Sequence, residues 1–301
     1  MAKSLPHPIQ YQGSKRKLAA EILQFFPTQI ERIVEPFAGT AAISIAASAK
    51  GISQSFWLND LNRPLIELLR QIIEEPTSIA NAYTELWNQQ HPDSIAHYFK
   101  VREAFNHTPD PSLFLYLLAR CVKGAVRYNA EGCLNQSPDK RRKGTQPDRM
   151  RKNIEEVSAL LKNKCKFTSL DYRNVLSEVK RSDFVYMDPP YQGVCGDRDS
   201  RYCSGIHFHD FVLAIEQLNQ KGIAFVISYD GKRGNKTFGH VLPPELGLKR
   251  IEIEVGRSSQ ATLLGRAEIT VESLYLSSAI NSQSLLFEFK PQQFHSDFIS
   301  L

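Results

Sequence analysis

Apolar and polar positions follow two different periods over the first 75 residues. Short apolar runs predict strands at 32–35 and 56–58. Apolar residues that recur at helical spacing predict helices over 14–26, 40–49 and 64–74. Strands and helices in this order are typical of a parallel sheet covered by helices.

The same alternation returns near residue 166, after a long interruption. Apolar runs predict further strands at 166–170, 184–188, 223–228, 250–255 and 269–276, with a helix over 207–221. Inside the interruption, residues 76–122 have helical spacing with breaks at Pro92 and at 109–111, residues 123–147 are polar and basic, and 148–161 are helical again. We predict a discontinuous α/β domain at 1–75 and 166–280, an inserted, mainly helical domain at 76–165, and a tail at 281–301.

The composition is that of a globular protein. Of 301 residues, 42% are hydrophobic and 23% are charged, which excludes a disordered chain, a collagen-like fibre and a coiled coil. No apolar run approaches the roughly 20 residues that span a bilayer, and the first residues lack the apolar segment of a secretory signal. Five scattered cysteines suit a reducing compartment. The expected location is therefore the cytoplasm.

Positive charge is concentrated in the middle of the chain. The net charge is +5, yet residues 100–166 contain 15 basic and 7 acidic side chains, and the remaining sequence is slightly acidic. Lysine and arginine bind polyanions by displacing counterions from phosphates, so the inserted domain is the candidate surface for nucleic acid. A solvated surface without a partner is the alternative.

Asp188, Pro189, Pro190 and Tyr191 directly follow the apolar run 184–187. Ligands of parallel α/β sheets bind beyond the carboxyl ends of strands, and this tetrapeptide would lie there. Prolines donate no N–H, so the loop presents only acceptors, namely the Asp188 carboxylate and backbone carbonyls. Tyr191 adds a flat face on which a base could stack. An ordinary proline-rich turn is the alternative.

Such acceptors suit the methylation of an exocyclic amine. The lone pair of this nitrogen is delocalised into the ring, so the nitrogen is a poor nucleophile. Hydrogen bonds from its two N–H groups to the Asp188 carboxylate and the Pro189 carbonyl would favour a tetrahedral nitrogen. The freed lone pair could then attack a sulfonium methyl group in line.

A cofactor site is predicted between the first strand and the next helix, at 35–40. This loop has one glycine, Gly39, whereas a dinucleotide fingerprint needs three. One glycine fits a cofactor without phosphates, such as S-adenosylmethionine. Asp60, at the end of the second strand, could accept both ribose hydroxyls. An ordinary tight turn at Gly39 and a helix cap at Asp60 are the alternatives.

These segments, in their order along the chain, resemble the DNA adenine methylase family, the alpha class of N6-adenine methyltransferases. The order is Tyr11-Gln12-Gly13-Ser14-Lys15, the loop 35–40, Asn59-Asp60-Leu61-Asn62, the insertion, and then 188–191. The resemblance implies a Rossmann-like S-adenosylmethionine-dependent methyltransferase sheet with an inserted DNA-recognition domain. It also implies a site-specific enzyme that methylates a flipped adenine in double-stranded DNA, as an orphan or within a restriction-modification system. The implied cofactor contacts are Tyr11, Lys15, Glu35, Phe37, Gly39, Asp60, Asp171 and Asp188.

The resemblance also identifies candidate DNA-binding residues. Residues 127–129 resemble the recognition hairpin of the family, where Arg and Asn can bond guanine and adenine edges. The basic run 140–143 suits phosphate contacts, or is a solvated loop. Arg257-Ser258-Ser259 resembles a late segment that lies beside DNA. The candidates are Arg120, Lys123, Arg127, Asn129, Lys140, Arg141, Arg142, Lys143, Arg257 and Ser258.

This chain departs from the family pattern at two positions, since family members often have Gly where it has Ser14 and Asn where it has Tyr229. Several alternatives to DNA adenine methylation also remain. Methylation of an RNA base or of a protein glutamine is the nearest competitor, followed by a non-catalytic DNA-binding protein. No cysteine follows a proline, which disfavours cytosine-ring methylation, and the pair His207 and His209 lacks the partners of a zinc site. We expect no metal and no membrane, a monomer, and a possible cognate restriction endonuclease that shares the DNA site.

Overall fold

A mixed sheet of eight strands forms the centre of the molecule. The structure is a computed structural model, which describes residues 5–190, 206–233, 236–257 and 269–280. The strands are β1 (Arg32–Glu35), β2 (Phe56–Asn59), β3 (Cys165–Thr168), β4 (Asp183–Met187), β5 (Ala224–Arg233), β6 (Lys236–Phe238), β7 (Lys249–Arg257) and β8 (Ile269–Leu276).

The strand order confirms the Rossmann-like sheet that the resemblance implied. The strands lie in the order β3-β2-β1-β4-β5-β8-β7, and β6 pairs with β5. The first five strands of this order are parallel, whereas β8 runs antiparallel between β5 and β7. Chain order reverses between β1 and β4, and a crevice for a ligand opens at such a switch point.

Nine helices surround the sheet or form the insertion in the described part of the chain. They are α1 (Ala19–Ile22), α2 (Ala42–Ala49), α3 (Arg63–Glu74), α4 (Pro76–Asn88), α5 (Ser94–His107), α6 (Pro111–Arg120), α7 (Pro147–Leu161), α8 (Tyr172–Glu178) and α9 (Phe208–Gln220). None of the described helices is long and apolar enough to span a membrane.

Most of the predicted elements are confirmed, and one helix is not. The continuous helix predicted over 14–26 is wrong, because 3-10 turns at 15–17 and 23–25 flank the short α1. The first of these turns buries the side chain of Lys15, whereas a regular amphipathic helix would expose a lysine. The sequence analysis also missed α8 and β6, both too short to show a period.

Two helices of the insertion begin at capping residues that the sequence contains next to its predicted breaks. Asp93 caps α5 by accepting hydrogen bonds from the Ile95 and Ala96 N–H groups. Asp110 caps α6 in the same way. Helix α5 begins just after the predicted break at Pro92, and α6 begins at Pro111, the last residue of the predicted break at 109–111. Such caps satisfy N–H groups that have no partner inside the helix.

The insertion and the sheet share one hydrophobic core. Helix α7 packs against α2, α3 and α4, and its buried residues Ile154 and Val157 belong to the same cluster as the buried face of α3. Two hydroxyls join the layers: Ser158 donates to the Ile73 carbonyl at 2.6 Å, and Ser48 donates to the Leu160 carbonyl at 2.7 Å. The boundaries at 76 and 165 stay a prediction, and this packing indicates that the two parts unfold together.

We expect Ile154→Ala to destabilise the whole protein by about 2–5 kcal/mol, since Ile154 is fully buried and the cavity left behind does not collapse completely. Urea denaturation followed by far-ultraviolet circular dichroism measures this change. The exposed neighbour Glu155→Ala is the matched control and should shift the midpoint little. Two separate transitions, of which only one responds to Ile154→Ala, would show that the insertion is an independent domain.

Candidate active site

A cavity of about 560 Å³ lies at the carboxyl ends of the parallel strands. Five segments of the α/β part line it. They are the segment before α1, the loop from β1 into α2, the loop from β2 into α3, the residues after β3, and the residues Asp188, Pro189 and Pro190 after β4. All eight residues predicted to bind a cofactor line this cavity: Tyr11, Lys15, Glu35, Phe37, Gly39, Asp60, Asp171 and Asp188.

The fully buried amide of Asn59 holds three of these loops together. Its nitrogen donates to the Pro36 carbonyl at 2.9 Å and to the Leu170 carbonyl at 3.0 Å. Its oxygen accepts from the Leu170 N–H at 2.9 Å and from the Thr168 hydroxyl at 2.8 Å. Because every hydrogen-bonding group of the amide is used, the ends of β1, β2 and β3 are fixed relative to one another.

The loop after β1 makes a tight turn against Asp60. Gly39 has a φ of 51°, which lies in the left-handed region that glycine enters without steric cost. The Gly39 N–H donates to one carboxylate oxygen of Asp60 at 3.0 Å, and the Asn62 N–H donates to the other at 2.9 Å. Burial raises the pKa of Asp60, and these two hydrogen bonds oppose the rise. Each oxygen keeps acceptor capacity for a ligand hydroxyl.

Glu35 anchors the start of α2 from beneath the cavity. One of its oxygens accepts from both the backbone N–H and the hydroxyl of Ser44. Burial raises the pKa of Glu35 to about 7, against the effect of the Ser44 hydrogen bonds. A further hydrogen bond at 2.9 Å joins the hydroxyls of Ser14 and Thr40, so the serine that departs from the family pattern links two loops of the site.

Lys15 lies between two carboxylates at the end of β4. Its ammonium is 2.9 Å from a carboxylate oxygen of Asp188 and 3.4 Å from one of Glu272 on β8. Burial raises the pKa of Asp188 to about 6 and outweighs the opposing effect of Lys15. Beneath them, the Tyr186 hydroxyl bonds the Ser228 hydroxyl at 3.1 Å.

Aromatic and charged side chains close the side of the cavity near α8. The Phe37 ring lies 5.2 Å from the Tyr172 ring, centroid to centroid. Asp171 caps α8 by accepting from the Arg173 N–H, and it also pairs with the Arg173 guanidinium at 2.9 Å. This pairing lowers the pKa of Asp171 and keeps it ionised.

The polar side chains that line the cavity suit a sulfonium nucleoside without phosphates. Carboxylates predominate around the cavity, with Asp60 placed for hydroxyls and Asp188 placed for a cation. A Cβ added to Gly39 would meet no heavy atom within 4 Å, so the space beside this glycine is open. Within the described ranges, no group of three or more His, Cys, Asp or Glu side chains could hold a metal ion.

The hairpin at 126–136 reaches the same cavity from the insertion. Tyr128 bridges Leu134 across the hairpin, and the Asn129 side-chain oxygen accepts from the Cys133 N–H at 2.7 Å. Tyr128 lines the cavity, and its hydroxyl donates to the Asn62 side chain at 3.3 Å. Arg127 is exposed. Tyr128 of the predicted hairpin therefore contacts the loop from β2 into α3, and the Asn129 oxygen is already used in the turn.

Arg120 does not lie on a surface. We expected it to contact DNA, but it is 1% exposed, and its guanidinium donates to the Asp139 carbonyl at 3.2 Å and the Ser94 carbonyl at 3.3 Å. Its charge instead holds the start of the basic loop 140–143. Tyr83 holds the far end of this loop by donating to the Thr145 carbonyl at 2.6 Å. Exposed between these anchors are Lys140, Arg141, Arg142 and Lys143.

Some predicted site residues lie outside this description. Tyr191 and Ser258 are outside the described residues. Lys123 follows α6 in a 3-10 turn and Arg257 ends β7, and both backbones are described without their side chains. Their predicted roles stay predictions.

The sequence analysis gave no role to four residues that shape the site: Ser44, Asn59, Tyr128 and Glu272, of which Asn59 and Tyr128 stood only as members of quoted motifs. Asn59 carried the clearest signal, because an asparagine that ends an apolar strand must find hydrogen-bond partners when it is buried. Glu272 breaks the apolar run of β8 in the same way, although its partner is 257 residues away in the chain. Nothing local in the sequence identifies such a pair.

Comparison with known proteins agrees with this geometry. The D12 class N6 adenine-specific DNA methyltransferase family matches residues 11–244. Modification methylase StsI of Streptococcus sanguinis is 28% identical over 78% of this chain, which spans only 37% of the length of StsI. The retron Ec67 DNA adenine methylase of Escherichia coli is 27% identical over 75% of this chain and 74% of its own length.

The type II methyltransferase M1.LlaDCHI of Lactococcus lactis subsp. cremoris is 24% identical over 87% of this chain and 92% of its own length. The family match covers most of the chain and contains the ends of β1, β2 and β4 together with the hairpin. The chain therefore belongs to the D12 class of N6 adenine-specific DNA methyltransferases.

Proposed function

We propose that this protein transfers a methyl group from S-adenosylmethionine to the N6 amine of a flipped adenine in double-stranded DNA. The observation that carries the proposal is the position of Asp188. Asp188 directly follows β4 and lines the same cavity as Asp60 and Gly39, and its carboxylate is paired with the buried Lys15. An acceptor for an amine and a site for a sulfonium nucleoside therefore adjoin.

Asp188 has two tasks in this reaction. Its ionised carboxylate, together with the Pro189 carbonyl, accepts hydrogen bonds from the adenine amine and directs the nitrogen lone pair out of the ring plane. Bound S-adenosylmethionine would supply the electrophilic methyl group, whose bond to sulfur breaks so that S-adenosylhomocysteine is the product. Once the nitrogen is methylated and cationic, it loses a proton, and a carboxylate with a pKa near 6 can receive it at neutral pH.

The target base must leave the duplex, because its amine is paired inside the stack. Pro189 and Pro190 form a rigid wall of the cavity, and Tyr191 is proposed to stack on the flipped base. The hairpin 126–136 is proposed to read base edges through Arg127, while the loop 140–143 binds phosphates and Lys123, Arg257 and Ser258 add further contacts.

The biological setting follows from this activity as part of the proposal. A DNA-modifying enzyme of this kind acts in the cytoplasm, as a monomer, on unmethylated double-stranded DNA. A restriction endonuclease that cuts the same sequence is a possible partner in the cell, and it would share the DNA site without forming a complex.

The first test is methyl transfer from labelled S-adenosylmethionine to unmethylated genomic DNA, with modified bases identified by mass spectrometry. We expect N6-methyladenine at one recurrent sequence, and Asp188→Ala should lower the rate by at least about a hundredfold because the amine loses its main acceptor. The matched control Asp110→Asn, whose carboxylate only caps α6, should retain the wild-type rate. Label in RNA or protein instead of DNA would overturn the proposed substrate.

We expect the single-turnover rate of methylation to fall below pH about 6, roughly tenfold for each pH unit. The sign follows from Asp188: burial raises its pKa, and its protonated form can no longer accept both hydrogen bonds from the amine. The control is Glu35→Gln, which removes another buried carboxyl of the cavity, one whose pKa burial raises to about 7. If the acid limb disappears in Glu35→Gln, Glu35 and not Asp188 governs the pH dependence.

Neutralising Lys140, Arg141, Arg142 and Lys143 to glutamine should weaken DNA binding and reduce the slope of log K against log salt by up to about 3 to 4, since each phosphate contact releases counterions. Fluorescence anisotropy over a salt series measures the slope. The matched control neutralises four exposed lysines that precede parallel strands, at the ends of the strands opposite to the cavity: Lys50, Lys162, Lys180 and Lys221. Equal slopes for the two quadruple variants would remove the loop from the interface.

A further inference from the structure

We infer that Glu272 on β8 is a positioning residue for methyl transfer, which acts by sharing the Lys15 ammonium with Asp188. The inference rests on the proposed function and adds a residue beyond the part of the chain that matches the family, which ends at residue 244. The three side chains are each largely buried: Lys15 is 9% exposed, Asp188 21% and Glu272 19%.

The topology of the sheet brings Glu272 to this place. Because β8 runs antiparallel to β5, the first residues of β8 lie beside the carboxyl end of β5, on the side of the sheet where the cavity opens. Glu272 pairs in register with Gly231 of β5, beside a bulge between Tyr229 and Gly231. A Cβ at Gly231 would come within 2.7 Å of the Val271 carbonyl oxygen, so the glycine permits this close approach.

The alternation of β8 turns Glu272 toward the catalytic side of the sheet. Ser273 and Tyr275 both bond Asp230 on one face. Leu274 lies on the opposite face, in the core cluster that also contains Tyr186. Residues two apart in a strand share a face, so Glu272 lies on the side of Leu274 and reaches Lys15 there.

One ammonium therefore serves two carboxylates, and the cluster has a net charge of −1 when all three groups are ionised. With Glu272 present, Lys15 is not committed to Asp188 alone, and Asp188 keeps more of its capacity to accept hydrogen bonds from an amine. The ionisable groups that face Asp188 are Lys15, Glu272, Glu35 and Tyr186. Lys15 lowers the pKa of Asp188, whereas burial and Glu272 raise it.

The sign of the Glu272 effect follows directly. Glu272→Gln removes a negative neighbour, so Lys15 stabilises ionised Asp188 more strongly and the pKa of Asp188 falls. The carboxylate becomes a weaker hydrogen-bond acceptor and a weaker proton acceptor for the cationic product amine. Methyl transfer should slow, while the acid limb of its pH profile moves to lower pH.

The experiment compares Glu272→Gln with the wild-type full-length chain in two readouts. Single-turnover methylation of duplex DNA across pH gives the rate and the acid limb. Titration of ¹³C-labelled aspartate carboxyls by NMR, with Asp188 assigned through Asp188→Asn, gives the pKa without any turnover. We expect the plateau rate to fall about threefold to tenfold and both the acid limb and the Asp188 titration to shift down by about one pH unit.

Two further variants separate positioning from folding. Glu272→Asp keeps the charge and should retain the wild-type acid limb even if its plateau rate is lower. Glu252→Gln is the matched control, because Glu252 on β7 pairs with Lys232 on β5 at 3.1 Å, outside the lining of the cavity. It should change neither the rate nor the limb.

The outcomes distinguish the two levels of the proposal. An Asp188 titration that is unchanged in Glu272→Gln overturns the positioning role, even if the rate falls through a loss of stability. If the wild-type protein does not methylate DNA, the proposed function fails, yet the NMR titration still decides whether Glu272 controls Asp188. If Glu272→Gln lowers the pKa of Asp188 but keeps the wild-type rate at every pH, the effect of Glu272 on Asp188 has no role in catalysis, and the inference is overturned.

Discussion

The buried amide of Asn59 is the constraint on which the site depends. It bonds the loop after β1 through Pro36 and the segment after β3 through Leu170, and it ends β2 itself. Parallel strands bring their carboxyl ends to one edge, but they do not fix the loops that follow. A buried amide with all partners satisfied does fix them, because any loop movement would leave a polar group unpaired away from water. Gly39, Asp60 and Asp171 keep their relative positions for this reason.

The second constraint is electrostatic. Three carboxylates, those of Glu35, Asp60 and Asp188, have raised pKa values because burial disfavours their charged forms. Such a cluster is unfavourable for folding unless donors or cations compensate it. Backbone N–H groups compensate Asp60, Ser44 compensates Glu35, and Lys15 compensates Asp188. A sulfonium ligand would compensate the remaining negative charge, so the same desolvation that disfavours the empty site favours a cationic ligand.

The sequence predicted most of the sheet and the residues that line the cavity, because both depend on local signals. Apolar runs located β1, β2, β3 and β4, and six of the eight predicted cofactor residues stand at the end of such a run or in the loop after it, whereas Tyr11 and Lys15 precede α1. The errors arose where burial depends on distant partners. Arg120 was counted among DNA-binding residues for its charge, yet α6 carries it into the insertion, where carbonyls of residues 94 and 139 receive its guanidinium. Glu272 was missed because strand pairing, and no motif, brings it to Lys15.

The segment 59–62 shows how recognition and chemistry are connected in this fold. Asn59 clamps the loops, Asp60 accepts from Gly39, and the Asn62 side chain accepts from Tyr128 of the hairpin. The hairpin thus contacts the loop that is proposed to hold the ribose, without an intervening flexible linker. The helices of the insertion share their core with α2 and α3, so the hairpin cannot move independently of the sheet. If the hairpin reads DNA as proposed, the base sequence it binds is held at a fixed distance from Asp188. Under the proposed function, this rigidity would act together with contacts to the flipped base in restricting methylation to one sequence.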